Sequence, residues 1–198
     1  MPGETASDRI LTIPNVISFA RLLGVGLFWW ALLAREDHIL AAIIILITGW
    51  TDWVDGRLAR RLNQVTRLGK ALDPVADRLM IASAVIGGMV TSVIPLLIGW
   101  LLIVREALMS AVTLTLAAKG RGTLEVRYLG KVSTFVFYAA IPAFYLAEAG
   151  VLEGLTAPLA RVTAVIGLAL YWAVTLQYLV DARLRLAGLE SGRTAKES

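Results

Sequence analysis

The chain consists of long apolar runs separated by short polar breaks. A membrane-spanning helix needs about 20 mostly apolar residues, and the runs lack the alternation of apolar and polar positions that a membrane barrel requires. Because lipid offers no partners to backbone N–H and C=O groups, each run is expected to form a helix. The pattern therefore predicts six spans, at Ile17 to Ala34, Ile39 to Val54, Pro74 to Val93, Ile94 to Ala118, Val132 to Ala149 and Leu155 to Val180.

Composition agrees with a membrane protein. Of the 198 residues, 58% are hydrophobic and 17% are charged, whereas charged residues make up about 25% of a typical soluble domain. We predict an all-α integral membrane protein: one domain over residues 1–198, folded as a six-transmembrane-helix bundle. Residues 1–16 are expected to be interfacial and residues 183–198 to form a polar tail. The absence of cysteine excludes disulfides and thiolate metal sites.

Basic residues are concentrated in alternate connections between the predicted spans. The first connection contains only Arg35, and the third and fifth contain no lysine or arginine. Cytoplasmic connections carry the excess of Lys and Arg, so a multi-pass protein of the cell membrane with both termini in the cytoplasm is predicted. Topology thus accounts for the net charge of +4 without nucleic acid as a partner. The basic residues on the cytoplasmic side are Arg57, Arg60, Arg61, Arg67, Lys70, Lys119, Arg121, Arg127, Lys131, Arg183, Arg185, Arg193 and Lys196.

Arg21 interrupts the first apolar run and leaves only Leu22 to Ala34 uninterrupted, about the length of a signal-peptide core. The bulky Trp29 and Trp30 disfavour cleavage there and are typical of an interfacial belt. We interpret Ile10 to Arg21 as an interfacial lead-in. Its arginine is expected to reach toward lipid headgroups.

The densest polar stretch, Thr51 to Asp77, contains four aspartates, four arginines and a lysine. Asp52 and Asp55 are spaced i,i+3, and Asp73 and Asp77 are spaced i,i+4, so on two helices each pair would project from one face. Four carboxylates brought together by facing helices would repel one another unless a cation were bound. Because magnesium and manganese prefer oxygen ligands, the stretch predicts a site for one or two of these ions.

The residues near these aspartates are small or basic. Gly56 and Ala59 leave the helix surface open to a ligand, and Gly69 is expected to allow a close approach or to break the connecting loop. Arg60 supplies donors of the kind that bind phosphate.

The third span is expected to begin at Asp73 and Pro74, with the aspartate as N-cap and the proline in the first turn. This arrangement would direct a helix N-terminus at the carboxylates. The alternative to a ligand site is a solvated loop with surface ion pairs. That interpretation suits Arg61, Arg67 and Lys70, which we take as topology determinants.

The stretch fits the pattern D-x2-D-G-x2-A-R-x8-G-x3-D-x3-D, which is the signature of the CDP-alcohol phosphatidyltransferases. The resemblance implies a six-helix bundle with an active site that faces the cytoplasm. It also implies a reaction in which an acceptor hydroxyl attacks the lipid-side phosphorus of a CDP-linked alcohol such as CDP-diacylglycerol, and CMP leaves. The fixed positions are all matched: Asp52, Asp55, Gly56, Ala59, Arg60, Gly69, Asp73 and Asp77.

The resemblance also implies a role for each of these residues. Asp52, Asp55 and Asp73 would bind a two-metal centre of Mg²⁺ or Mn²⁺, and Asp77 would complete it and act as the general base. The pocket for cytidine diphosphate would be lined by Gly56, Ala59, Arg60 and Gly69. Members of the family often form homodimers, so a second copy of the chain is a candidate partner beside the bilayer and the two substrates.

The segments LTIPNVISFAR, VREALMS and YLGKVST narrow the resemblance to the branch that contains phosphatidylglycerophosphate synthases and CMP-forming cardiolipin synthases. In the former, the Arg-Glu segment of the fourth span continues into a second Arg-Glu pair, whereas this chain has Thr113 and Leu114 there. A phosphate monoester is best held by bidentate arginine donors. The departure therefore favours phosphatidylglycerol over glycerol 3-phosphate as acceptor, with the alternative that Lys119, Arg121 and Arg127 hold a phosphate instead.

Four basic residues are candidates for acceptor binding: Arg105, Arg121, Arg127 and Lys131. An ionisable residue inside a span is a functional candidate, but Arg105 and Glu106 could equally form a structural ion pair between helices. Lys131 could equally be a topology charge. A carboxylate-lined cation transporter is a further alternative, and it would require acidic groups near the bilayer midplane rather than at one edge.

Overall fold

A computed structural model describes residues 13–62, 67–121 and 128–187, and it is helical throughout these ranges apart from short turns, with no strand among them. Side chains are described for residues 16–51 and 75–121 and for most of 129–187. The helices are α1 (Ile13–Trp29), continued by a π-helical segment (Trp30–Ala34), α2 (His38–Leu62), α3 (Arg67–Val90), α4 (Leu96–Ala118), α5 (Tyr128–Glu148) and α6 (Glu153–Leu186).

The predicted all-helical membrane protein is confirmed in its coarse form. Within the described residues three segments, Val16–Ala34, Leu96–Ala118 and Gly154–Leu186, are long and apolar enough to cross a membrane. Two shorter apolar segments occupy His38–Thr51 and Phe135–Glu148. The bundle of six spans stays a prediction.

The helix start predicted at Asp73 and Pro74 is wrong. Helix α3 begins at Arg67, so Asp73 is not an N-cap, and Pro74 and Gly69 lie inside the helix rather than at its start or in a loop. A proline removes one backbone donor and opposes the α conformation of the residue before it. Helices in membranes tolerate it because neighbouring groups satisfy the freed carbonyl. Pro142 of α5 and Pro158 of α6 also lie inside helices.

Three connections are tight turns that contain a non-glycine residue in the left-handed region. These residues are Glu36 (φ 52°), Ser92 (φ 61°) and Leu152 (φ 51°). In the first turn, Asp37 Oδ1 accepts a hydrogen bond from the Leu40 N–H at 2.9 Å and so caps α2. Each turn lies in a connection with few or no basic residues, which the charge pattern predicts to be on the side opposite the cytoplasm. A short connection is enough to reverse the chain there.

The described residues divide into two compact units, and the first comprises those of Met1–Pro95 and Ile141–Ala160. In it α1 packs against both α2 and α3. Glycines permit the approach: a Cβ added at Gly24 would lie 3.1 Å from Thr48 Cγ2, and one at Gly87 would lie 2.6 Å from Leu32 Cδ2. Small residues at helix contacts are typical of membrane proteins, because packing replaces the hydrophobic effect there.

Helices α1 and α3 run parallel, because their contacts advance in the same direction along both. Their amino-terminal halves are therefore neighbours, as expected for spans that start on the same side of a membrane. The paired positions are Arg21 with Asp77, Gly24 with Met80, and Leu32 with Gly87.

Within the first unit, Tyr145 of α5 packs against α1 and α3. Its side chain is fully buried, its hydroxyl donates to the Ala84 carbonyl of α3 at 2.7 Å, and its ring meets Phe28 of α1 edge-on with centroids 5.8 Å apart. A buried tyrosine is expected to satisfy its hydroxyl in this way.

The second unit comprises the described residues of Leu96–Ala140 and Arg161–Ser198. Here α5 packs against α6: the rings of Phe137 and Tyr171 lie 5.3 Å apart, and a Cβ added at Gly167 would lie 3.1 Å from Phe137. Arg105 of α4 is buried in this unit, and so are Ser133 of α5 and Thr175 of α6.

Candidate active site

The signature is divided between two helices. Its first arm lies wholly on α2 and its second arm wholly on α3, so the helical spacing assumed for both pairs of aspartates is confirmed for the backbone. The two helices are in contact within the first unit. Helix α2 carries Asp52, Asp55, Gly56, Ala59 and Arg60, and helix α3 carries Gly69, Asp73 and Asp77.

Of the signature side chains only that of Asp77 is described. Those of Asp52, Asp55 and Asp73 lie outside the described residues, so the predicted cluster of four carboxylates stays a prediction. The side chains proposed to line the nucleotide pocket, at Gly56, Ala59, Arg60 and Gly69, lie outside them as well.

Asp77 is paired with a buried arginine from another helix. Its Oδ1 accepts a hydrogen bond from Arg21 Nη1 at 2.7 Å. The expectation that Arg21 reaches toward headgroups is therefore wrong: the residue is only 2% exposed. A guanidinium in an apolar interior needs an anionic partner. Asp77 provides that partner 56 residues further along the chain.

A stripe along α1 explains why Arg21 points inward. Ser18, Arg21, Gly24 and Phe28 recur at helical spacing and are all buried. Ser18 and Gly24 are small, as is typical of contacts between membrane helices. This stripe is the signal in the sequence that could have identified Arg21 as a residue facing the protein interior.

The carboxylate of Asp77 stays partly accessible although it is paired. Its side chain is 25% exposed, against 1% for that of Arg21. A carboxylate has two oxygens with about four acceptor positions, so the bond to Arg21 is compatible with a further ligand. Carboxylate oxygen is also the type of ligand that a hard divalent cation prefers. Among the described side chains no group of three or more His, Cys, Asp or Glu residues comes together.

A second polar centre surrounds Arg105, which is 8% exposed. Its Nη1 donates to Glu106 Oε1 at 2.6 Å, and its Nε donates to Thr175 Oγ1 at 3.0 Å. The guanidinium carbon lies 3.7 Å from the ring centroid of Tyr171, a cation–π contact, and the Tyr171 hydroxyl donates to the same Glu106 oxygen at 2.7 Å. We call these four residues the Arg105 centre.

The Arg105 centre bears on one of the alternatives left open by the sequence. Arg105 and Glu106 do form an ion pair, but the pair lies within α4 and is linked to α6 by Tyr171 and Thr175. Neither α6 residue was identified from the sequence, because single hydroxyl-bearing residues in an apolar helix carry no distinctive pattern.

The other acceptor candidates are not gathered around Arg105 by the described structure. Arg121 lies just beyond the end of α4 and is exposed, and its N–H donates to the Leu116 carbonyl at 2.9 Å. Lys131 lies on α5 with a side chain outside the described residues, and Arg127 lies outside them altogether.

Comparison with known proteins adds independent findings. The family model described as CDP-alcohol phosphatidyltransferase matches residues 11–177, a range that includes both arms of the signature and the Arg105 centre. A relative named cardiolipin synthase (CMP-forming), from Streptomyces coelicolor, is 38% identical over 183 residues, which is 89% of this chain and 85% of the relative.

Other relatives are named for a different acceptor. The CDP-diacylglycerol–glycerol-3-phosphate 3-phosphatidyltransferase of Bacillus subtilis is 34% identical over 154 residues, covering 69% of this chain and 78% of the relative. The protein of the same name from Blochmanniella floridana is 32% identical and covers 68% and 73%. One of these relatives is thus named for cardiolipin and the release of CMP, and the other two are named for CDP-diacylglycerol and glycerol 3-phosphate.

Proposed function

The chain belongs to the CDP-alcohol phosphatidyltransferase family, and from that premise we propose that it transfers the phosphatidyl group of CDP-diacylglycerol to phosphatidylglycerol. The products are cardiolipin and CMP. As a family member it is a transferase of phospholipid biosynthesis and a membrane protein. The choice of phosphatidylglycerol is the proposal.

One feature of α4 carries this choice. Where the branch that uses glycerol 3-phosphate has a second Arg-Glu pair, Thr113 bonds its hydroxyl to the Met109 carbonyl at 2.8 Å, and Leu114 is 70% exposed. Neither residue offers a cation to a phosphate monoester, which is best bound by bidentate arginine donors. Phosphatidylglycerol carries only a phosphodiester and needs less positive charge.

In the proposed reaction the acceptor hydroxyl oxygen forms a bond to the lipid-side phosphorus of CDP-diacylglycerol. The bond from that phosphorus to the bridging oxygen breaks, and CMP leaves with its electron pair. Asp77 accepts the hydroxyl proton, as its partly exposed carboxylate allows.

The remaining signature residues would bind the donor. Asp52, Asp55 and Asp73, together with Asp77, would hold Mg²⁺ or Mn²⁺ through carboxylate oxygens. Such ions neutralise charge on the diphosphate when bound. Arg60 would donate to phosphate, while Gly56, Ala59 and Gly69 leave room for the nucleotide.

The proposed site faces the cytoplasm, where the released CMP is soluble. The parallel course of α1 and α3 supports this topology, because it puts the amino-terminal halves of both helices at one end of the first unit. The chain enters α3 from a basic connection that the charge pattern predicts to be cytoplasmic. A cation transporter is disfavoured by the family match. A homodimer stays a prediction.

Phosphatidylglycerophosphate synthesis is the second candidate. It is favoured by the relatives named for glycerol 3-phosphate and by the basic residues Arg105 and Arg121 of the second unit. Arg105, Arg121, Arg127 and Lys131 are proposed to contribute to acceptor binding in either case.

A direct assay separates the two candidates. Purified full-length protein in detergent is incubated with CDP-diacylglycerol, Mg²⁺ or Mn²⁺, and either phosphatidylglycerol or glycerol 3-phosphate. We expect CMP release and cardiolipin with phosphatidylglycerol. Product formed from glycerol 3-phosphate alone would replace our proposal by the second candidate.

A further inference from the structure

The two side chains of the Arg21–Asp77 ion pair differ in exposure, and this difference indicates a role beyond holding two helices together. The Arg21 side chain is covered by protein and only 1% exposed, whereas the Asp77 side chain that it holds is 25% exposed. Taking a charge out of water has a high free-energy cost unless the charge is well paired. The fold thus buries a cation behind a carboxylate that remains accessible.

A structural role alone does not account for this arrangement. The approach of α1 to its neighbours is already provided by Gly24, which meets Thr48 and Met80, and by Gly87, which meets Phe28 and Leu32. Replacing a buried ion pair by apolar residues of similar volume is often neutral or stabilising. Stability is therefore a weak reason for an arginine at this position.

We propose that Arg21 is a positioning residue for the transfer reaction. It holds Asp77 through Oδ1, so that the carboxylate has one orientation when it binds the divalent cation. This inference deepens the proposed function and rests on the assignment of Asp77 made there. The signature does not include Arg21, which contacts the signature only through the folded structure.

Two physical effects of Arg21 on metal binding have opposite signs. As a positioning residue it stops rotation of the carboxylate, and loss of such a partner typically weakens metal affinity or activity about 10- to 100-fold. As a mere counter-ion it would compete with the metal for Asp77, and its loss would tighten metal binding. The sign of the change therefore distinguishes the two roles.

The test measures Mn²⁺ binding to the full chain in detergent without any substrate. A ligand that binds only the folded state raises its stability in proportion to ln(1 + [L]/Kd), so the thermal midpoint followed against Mn²⁺ gives an apparent affinity. We expect Arg21→Gln to weaken that affinity at least 10-fold. Arg21→Lys should weaken it less, because lysine keeps the charge but lacks the planar fork.

Two variants serve as matched controls. Arg35→Gln removes an exposed arginine that lies 5.3 Å from the ring of Trp30, and Tyr145→Phe removes a buried hydrogen bond to Ala84 in the same unit. Both should leave the Mn²⁺ affinity unchanged, although Tyr145→Phe lowers the thermal midpoint. In an Asp77→Asn background, Arg21→Gln should cause no further loss of affinity.

An unchanged or tighter Mn²⁺ affinity in Arg21→Gln would overturn the proposal. If that variant does not fold, Arg21→Lys decides by the same criterion, with Tyr145→Phe as the reference for destabilisation alone. The proposed function fails separately. If the unchanged chain releases no CMP, weaker Mn²⁺ binding in Arg21→Gln still upholds the positioning of Asp77 for the cation but rejects the transfer. If the unchanged chain releases CMP and Arg21→Gln binds Mn²⁺ with unchanged affinity, the transfer stands and the positioning role is rejected.

Discussion

Two buried arginines in apolar helices have different surroundings, although both bind a carboxylate. Arg21 of α1 binds Asp77, which lies 56 residues away on α3 and belongs to the signature. Arg105 of α4 binds Glu106, its neighbour in sequence, and is further held by Tyr171 and Thr175 of α6. One arginine thus serves a residue of the proposed site, and the other is the centre of its own polar network.

The role of a buried charged residue in a membrane helix must therefore be inferred from the group that it contacts. Arg21 interrupts an apolar run, and the sequence therefore predicts an interfacial residue. Arg105 lies within a span, and the sequence therefore indicates a candidate for acceptor binding. In the structure Arg21 contacts the proposed base, while the contacts of Arg105 are made with Glu106 and α6. Substitutions in each of the two surroundings test whether this contrast is functional.

The largest effect is expected from matched amide substitutions of the two carboxylates. Asp77→Asn removes the proposed general base, and loss of such a group lowers the rate about 10²- to 10⁴-fold. Glu106→Gln keeps the shape of the side chain in the Arg105 centre and should retain activity within about 10-fold of the unchanged chain, because we assign Glu106 no proton transfer. CMP release at saturating Mn²⁺ measures both.

Either of two results would contradict the different roles assigned to Asp77 and Glu106. Full activity in Asp77→Asn would remove Asp77 from the role of base. A loss in Glu106→Gln as large as that in Asp77→Asn, with the protein still folded by its thermal midpoint, would place the chemistry at the Arg105 centre instead.

The next effect concerns the role of Arg105 itself. Arg105→Lys keeps the charge but loses the planar donors and the close stacking on Tyr171. If Arg105 contributes to acceptor binding as proposed, we expect the KM for phosphatidylglycerol to rise about 10-fold, the equivalent of one 1.4 kcal/mol contact. The Mn²⁺ affinity should not change, in contrast to Arg21→Lys. A lower thermal midpoint with an unchanged KM would identify Arg105 as purely structural.

Much of this molecule was predictable from residue types and spacing. The apolar runs predicted the helices, and the signature predicted a pair of carboxylates on each of two helices, because i,i+3 and i,i+4 spacings require only local geometry. The bounds near the site were not predictable in the same way. Local preference predicts Pro74 at a helix start, but a helix in the membrane tolerates an internal proline.

Partners distant in the chain were beyond sequence reasoning. The contact of Arg21 with Asp77 depends on the parallel packing of α1 and α3, which in turn depends on close approaches at Gly24 and Gly87. Tyr171 and Thr175 likewise meet Arg105 only because α4 and α6 pack together in the second unit. Nothing in the local sequence of α6 distinguishes these residues from other residues of an apolar helix.

The smallest expected effect isolates one bond of the Arg105 centre. Tyr171→Phe removes the hydroxyl that donates to Glu106 at 2.7 Å but keeps the ring beneath the guanidinium. Because Glu106 retains its bond to Arg105 and its side chain is 40% exposed, we expect a loss of about 1 kcal/mol, typical of one hydrogen bond. Thermal unfolding in detergent measures this loss, with Tyr145→Phe in the first unit as the matched loss of a fully buried hydroxyl.

Tyr171→Phe should leave the Mn²⁺ affinity and the KM for the acceptor unchanged. A raised KM at unchanged stability would instead mean that the Tyr171 hydroxyl contacts the acceptor directly, so that Tyr171 would join Arg105 in the acceptor site rather than only support it.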